Sequence, residues 1–198
     1  MSFNLFGVRI KISFLLIVML ALFSFYDKSG FVLLAISAAI IHELGHVVAA
    51  EIFKCGVKKL EFMPFGIKMV LNTPLSIVAP KPKIAVLSAG CVVNFLLFAA
   101  FWALSLKNAA IIHLITGAFN LLPAGTLDGG RILNELLCIK FEAQKAEKIS
   151  DVVSLFSAFL LFILGTFVLF YSGYNISLLI TSIYLASLVI VRQKKLNY

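Results

Sequence analysis

The chain has 198 residues, of which 62% are hydrophobic and 13% are charged, and its 17 Lys and Arg exceed its 9 Asp and Glu. Because a soluble domain is about half apolar and about one quarter charged, this composition excludes an ordinary soluble protein and predicts a membrane protein. At about 20 residues for each membrane-spanning helix, the length allows several spans but no additional soluble domain of normal size. We therefore expect residues 1–198 to form one membrane-embedded domain.

Apolar stretches, taken in chain order, predict about six transmembrane helices. They cover residues 12–26, 31–53, 84–106, 109–122, 152–171 and 176–191. Lys and Arg accumulate in the cytoplasmic loops of membrane proteins. With a cytoplasmic N-terminus, 15 of the 17 Lys and Arg lie on the cytoplasmic side, and only Lys28 and Lys107 lie outside. The sequence therefore predicts an all-α polytopic membrane protein with both termini in the cytoplasm, and the net charge of +8 calls for no nucleic-acid partner.

Three further segments do not have the pattern of a simple span. Residues 57–72 are interrupted at Pro64 and Gly66 and predict a short membrane-associated β-hairpin between the second and third spans. Residues 120–130, NLLPAGTLDGG, cannot continue a regular helix, and such backbone is tolerated at membrane depth only inside the protein or beside a water-filled cavity. Residues 131–150 have the pattern of a cytoplasmic amphipathic helix.

The second predicted span contains the sequence HELGH at residues 42–46. Two histidines four residues apart lie on one face of a helix, so the imidazoles of His42 and His46 can converge on one zinc ion. Glu43 lies beside them as a base for a metal-bound water. The motif lies about 12 to 18 Å inside the cytoplasmic boundary, where the site is buried but water can reach it.

A catalytic zinc needs a third protein ligand. His113 is the remaining histidine, but the predicted topology puts it in the outer half of the fourth span, so we expect a helix-packing contact. Asp128 lies in the irregular segment that returns to the cytoplasmic face, and Glu135 is the reserve candidate. An aspartate before a helix is also a common N-cap, so both interpretations of Asp128 stay open here. The cysteines form no CxxC pair and indicate neither a disulfide framework nor a thiolate metal site: Cys55, Cys91 and Cys138.

Three motifs in order, HELGH at 42–46, SAGCVVN at 88–94 and NLLPAGTLDGG at 120–130, resemble those of the site-2 protease family of intramembrane zinc metalloproteases. The resemblance implies one zinc ion held by His42, His46 and Asp128, with Glu43 as the catalytic acid/base. It also implies that Asn120 contacts substrate or stabilises charge near the metal. Asn94 matches the last position of the third-span motif, where we expect an interhelical hydrogen bond that supports the site.

The chain is similar to the short, six-span form of this family, which lacks a PDZ insertion and includes sporulation proteases. This similarity implies hydrolysis of a peptide bond in or near the membrane segment of a membrane-anchored substrate, such as a pro-sigma-K-like factor. It also implies inhibitory membrane protein partners and a place in the bacterial cell membrane or the membrane around the forespore. Many sporulation relatives carry a C-terminal CBS domain that responds to ATP, whereas this chain ends seven residues after Val191, so nucleotide regulation is not carried over from them.

Two departures from the family pattern concern the backbone. Cys91 stands where the family usually has proline, and Thr126 stands where a proline commonly precedes LDG. Two other functions compete with the protease interpretation. A catalytically silent chaperone or assembly factor for membrane helices has no need of Glu43, and a metal transporter would need more polar groups in the outer half of the bilayer than these spans offer.

Overall fold

The computed structural model describes residues 2–5, 8–63, 66–73, 78–125 and 127–196. Pro64 of the predicted hairpin and Thr126 lie outside the described residues. The described chain is mostly helical and forms two compact units, residues 1–119 and 120–198. Its elements are β1 Ser2–Leu5, β2 Val8–Ile12, α1 Phe14–Tyr26, α2 Phe31–Ile52, β3 Val57–Met63, β4 Gly66–Leu71, α3 Pro80–Ala103, α4 Lys107–Asn120, α5 Asp128–Lys140, α6 Ala143–Ser172 and α7 Ser177–Leu196.

Three helices are long and apolar enough to cross a membrane: α2 with 22 residues, α3 with 24 and α6 with 30. Shorter apolar stretches occupy α1 and α7, at Phe14–Phe23 and Ser177–Val191. Large apolar side chains such as Phe159, Phe167 and Phe170 are exposed along α6, as expected for a surface that faces lipid. The chain is therefore a membrane protein, whereas the count of six spans and the placement of the termini stay predictions.

The first unit contains a four-stranded sheet in the order β1-β2-β3-β4. β3 and β4 pair antiparallel within the segment that was predicted to form a hairpin, and β2 pairs parallel with β3. β1 and β2 were not predicted, although VRIKI in β2 alternates apolar and charged residues and its burial alternates in step. Sheet residues pack with the end of α2 and the start of α3 in one apolar core: Ala49, Ala50, Cys55, Val57, Leu60 and Val86.

A tight turn joins α2 to β3. Lys54 and Gly56 have positive φ angles, of 56° and 63°, and a Cβ at Gly56 would lie 2.7 Å from the side-chain nitrogen of Asn72. Glu51 Oε1 accepts a hydrogen bond from the Val57 backbone N–H at 2.8 Å. The last turn of α2 is therefore bonded to the first residue of β3, and the glutamate makes this contact with the sheet.

Close packing of α2 against α3 depends on small residues. A Cβ at Gly45 would lie 3.0 Å from the Ala89 carbonyl oxygen and 3.1 Å from the Gly90 Cα. The two backbones can approach this closely because neither glycine carries a side chain, which is the common basis of tight helix packing in membranes. This approach brings the imidazoles of α2 against the backbone of α3.

The second unit begins with an irregular segment that is closely packed against its own helices. The Gly125 N–H donates to Ser154 Oγ at 2.8 Å, and Ser157 Oγ donates to the Pro123 carbonyl at 3.3 Å. A Cβ at Gly129 would overlap the carbonyl group of Leu121. The proline and glycines that predicted a break in the helix therefore also allow this segment to fold tightly.

The predicted amphipathic helix over 131–150 is two helices in the structure. α5 begins at Asp128 and ends at Lys140, and α6 begins at Ala143. Phe141 and Glu142 between them have extended backbone angles, with ψ of 157° and 148°. No proline or glycine marks this break in the sequence, so one continuous helix was predicted across it.

Candidate metal centre

The two histidines of HELGH face one point inside the first unit. His42 and His46 are buried, and their Nε2 atoms lie 3.2 Å apart. Two imidazole nitrogens bound tetrahedrally to one zinc, at about 2.0–2.1 Å each, lie about 3.3 Å apart. The pair therefore has the spacing that a shared zinc ion requires.

A hydrogen bond from the Nδ1 atom of His46 determines that Nε2 is the nitrogen that can bind a metal. Its Nδ1 lies 2.7 Å from the Val86 carbonyl oxygen of α3. A carbonyl only accepts, so Nδ1 carries the proton and donates a hydrogen bond, and Nε2 is the nitrogen whose lone pair can bind a metal. A backbone carbonyl is one of the partners that commonly fix the ring of a metal-binding histidine, beside a carboxylate or water.

Gly90 of α3 leaves open the space between the two rings. A Cβ at this position would lie 2.5 Å from His46 Nε2 and 2.7 Å from His42 Nε2. These distances are shorter than any ordinary carbon–nitrogen contact, so the rings and a side chain at residue 90 cannot both occupy this place. No role was predicted for this glycine of the SAGCVVN motif, because its importance arises only from the packing of α3 on α2.

Cys91 lies beside the same pair. It is buried, and its Sγ lies within 4.8 Å of a His42 ring nitrogen. Cysteine spacing in the sequence does not indicate this position, because a single thiol supplied by a second helix forms no spacing pattern. The centre therefore also has a soft donor atom close to His42.

Asn94 of α3 connects His42 to His113 of α4. The Asn94 Nδ2 lies 3.1 Å from His42 Nδ1, and the Asn94 Oδ1 lies 2.9 Å from His113 Nδ1. All three side chains are buried. The interhelical hydrogen bond predicted for Asn94 is therefore present, and the packing contact predicted for His113 is a hydrogen bond to that same asparagine.

The remaining predicted residues lie as follows. Glu43 follows His42 on α2 and is half-buried, and Asn120 is the last residue of α4. Asp128 is the first residue of α5 in the second unit and is buried. The N-cap of α5 is Leu127, so Asp128 lies within the first turn rather than at the N-cap position considered for it. Glu135, the reserve ligand, is half-buried on α5.

Known proteins resemble the chain in sequence and in structure. Residues 102–164 match peptidase family M50. The chain is 30% identical over 174 residues to stage IV sporulation protein FB of Bacillus subtilis, covering 80% of this chain and 57% of that protein. It is 27% identical over 167 residues to a zinc metalloprotease of Methanocaldococcus jannaschii, covering 78% of this chain and 46% of that protein. The chain thus spans about half the length of these curated relatives.

A solved structure supports the same assignment at the level of the fold. The site-2 protease from Methanocaldococcus jannaschii superimposes with a TM-score of 0.67 and 24% identity, covering 96% of this chain and 94% of the solved chain. The chain therefore matches peptidase family M50 over residues 102–164 and shares the fold of a site-2 protease.

Proposed function

We propose that this chain is an intramembrane zinc metalloprotease, which hydrolyses a peptide bond in or near the membrane segment of a substrate protein. The observation that carries the proposal is the 3.2 Å separation of the His42 and His46 Nε2 atoms on α2. α2 is long and apolar enough to cross a membrane, and it also carries Glu43 next to this pair.

The proposed metal ligands are His42, His46 and Asp128. Support for Asp128 comes from its burial and from the matched family segment, residues 102–164, which contains it. When bound, a zinc ion supplies Lewis-acid chemistry, because it polarises a carbonyl oxygen and makes water acidic enough to lose a proton near neutral pH.

The residues of the chain carry out the proton transfers and the positioning. Glu43 takes the proton from the attacking water and then delivers it to the leaving amine nitrogen, which is general base and general acid catalysis by one carboxylate. Asn120 donates its side-chain amide to the oxyanion that develops on the scissile carbonyl. Burial of the histidines keeps bulk water away from these steps.

The substrate must be extended for its carbonyl to be reached, and the sheet offers a place for it. β4 pairs with β3 on one side, and among the described residues no strand pairs with its other edge. An extended segment can add to such an edge by main-chain hydrogen bonds. Site-specific crosslinking from Val70 of β4 would test this, since a substrate bound elsewhere would not react there.

The proposal also includes a membrane topology, a substrate and a cellular location. It comprises six spans, both termini in the cytoplasm, one domain over 1–198 and a pro-sigma-K-like membrane-anchored substrate. It also includes inhibitory membrane proteins and a bacterial cell membrane or forespore membrane. The relative named stage IV sporulation protein FB supports the sporulation setting. Reporter fusions at each predicted loop would test the topology, and a cytoplasmic signal from residues 28 or 107 would contradict it.

The decisive experiment compares the wild type with Glu43→Gln during co-expression with a membrane-anchored pro-sigma-K-like protein, with bound zinc measured in both. We expect the variant to retain zinc and to lose cleavage by at least about a hundredfold, the lower range of a general base contribution. Glu51→Gln is the matched control, because its side-chain oxygen can still accept from Val57. Cleavage by Glu43→Gln at the wild-type rate would refute the assignment, whereas zinc binding without any cleavage would favour the silent chaperone.

A further inference from the structure

The buried hydrogen bonds between His42, Asn94 and His113 connect three helices of the first unit. The Asn94 side chain is fully buried, and its amide contacts Nδ1 of His42 on one side and Nδ1 of His113 on the other. α4 can approach this amide because Gly117 has no side chain: a Cβ there would lie 3.2 Å from the Asn94 Cβ. The Phe101 ring packs on His113, with centroids 5.4 Å apart.

The amide orientation is tied to the tautomer of His42. In the structure Nδ2 faces His42 Nδ1 and donates to it, so the His42 proton is on Nε2 and points at His46 Nε2, 3.2 Å away. Turning the amide by 180° exchanges the two ends within the same space. Oδ1 then accepts from a His42 Nδ1–H, and the lone pair of His42 Nε2 faces the metal position.

The same rotation of the Asn94 amide changes whether His113 Nδ1 donates or accepts a hydrogen bond. In the first orientation His113 Nδ1 carries a proton and donates to Asn94 Oδ1, at 2.9 Å. In the second orientation Nδ2 donates, so His113 Nδ1 must accept and its proton lies on Nε2. Histidine is suited to this position because a neutral imidazole nitrogen serves as either donor or acceptor.

We infer that Asn94 and His113 are positioning residues that hold His42 in the tautomer whose Nε2 binds the metal. The inference rests on the proposed zinc site. In this state Asn94 Oδ1 accepts a hydrogen bond from His42 Nδ1–H, and Asn94 Nδ2 at the other end of the amide donates to His113 Nδ1. Partners of this kind typically change metal affinity by about 10- to 100-fold when they are removed.

The chain has 3 histidines, His42, His46 and His113, so labelling with ¹⁵N-histidine reports the protonated nitrogen of each of them. In the zinc-loaded full-length protein in lipid nanodiscs, we expect His42 and His46 to carry protons on Nδ1 and His113 to carry its proton on Nε2. In Asn94→Asp, both carboxylate oxygens accept, so His113 should instead carry its proton on Nδ1 while zinc affinity stays close to that of the wild type.

Zinc affinity, measured by chelator competition, separates orientation from packing. We expect Asn94→Leu to bind zinc about 10- to 100-fold more weakly. Ser37→Ala should bind normally, because the Ser37 hydroxyl donates to the Leu34 carbonyl of its own helix at 2.8 Å. Equal affinities of wild type and Asn94→Leu, or a zinc-loaded wild type in which His113 keeps its proton on Nδ1, would overturn the inference. The measurement of the His113 protonation site uses the wild type alone, so it tests the inference even if Asn94→Leu does not fold. A wild type that binds no zinc would overturn the proposed function as well.

Discussion

Replacing Gly90 with alanine is expected to exclude the metal while the chain stays folded. The added Cβ would lie 2.5 Å from His46 Nε2 and 2.7 Å from His42 Nε2, where ordinary contact begins near 3.4 Å. Relief of the shorter contact therefore requires a shift of about 0.9 Å. Metal–ligand distances tolerate deviations of about 0.2 Å. A displacement several times larger takes at least one ring out of the coordination geometry.

The cost of this substitution to the fold is much smaller. Overpacking of a buried site costs about 1–3 kcal/mol. Alanine in a helix interior is favoured over glycine by about 1 kcal/mol, which offsets part of that cost. The net loss is therefore at most about 2 kcal/mol, against a typical folding stability of about 5–15 kcal/mol. For zinc we expect a loss of at least about a hundredfold, because the ligands themselves move rather than only their hydrogen-bond partners.

The assay is zinc affinity by chelator competition on purified Gly90→Ala, with thermal unfolding measured on the same sample. Gly165→Ala is the matched control, since its Cβ would lie 2.7 Å from the Leu179 backbone nitrogen and crowds α6 against α7 in the second unit. That control should lower the unfolding temperature and keep wild-type zinc affinity. Wild-type zinc affinity in Gly90→Ala would refute the conclusion that the metal occupies the space left by this glycine.

Three further changes test other parts of the structure. Asp128→Asn should lower zinc affinity by at least about tenfold in the same competition assay, and unchanged zinc content would remove this carboxylate from the ligand set. Gly129→Ala should lower the free energy of unfolding by about 3 kcal/mol or more, because the added Cβ overlaps the Leu121 carbonyl, which cannot move aside. The Ser29 hydroxyl and the backbone N–H groups at the start of α2 lower the pKa of Asp27 below its usual 3.8. The stabilisation from ionised Asp27 is therefore complete above about pH 3.8 and is lost as the pH falls through the lower folded-state pKa. The unfolding temperatures of Asp27→Asn and the wild type should therefore become equal in acid. A difference that stays constant with pH would contradict this.

The features predicted well from sequence are those that local spacing determines. The apolar run at 31–53 and the helix α2 at Phe31–Ile52 agree closely, and the pairing of His42 with His46 follows from their four-residue spacing. α3 begins at Pro80, four residues before the predicted span at 84, because hydropathy stops at Lys83 whereas proline and lysine are acceptable in a first helical turn.

Features that depend on distant parts of the chain were not predicted. β2 is a strand because it pairs in parallel with β3, and the register joins Arg9 to Lys59 and Ile12 to Phe62. Five residues of alternating pattern are too few to indicate a strand without that partner. Cys91 lies near the histidines for a similar reason, since only the packing of α3 on α2 brings its thiol to His42.

One stripe of α3 supports the whole histidine pair, and its spacing repeats that of the motif it supports. Val86, Gly90 and Asn94 are four residues apart, so they share one face of α3, as His42 and His46 share one face of α2. Val86 bonds the later histidine and Asn94 the earlier one, which is the order expected when two neighbouring helices run in opposite directions. Gly90 lies midway between them, at the height of the two Nε2 atoms. The three positions act separately, because the carbonyl and the amide orient one ring each and the glycine leaves space. Gly90→Ala should therefore abolish metal binding whatever stands at residue 94, whereas the loss caused by Asn94→Leu should be recovered by an acceptor such as that in Asn94→Asp.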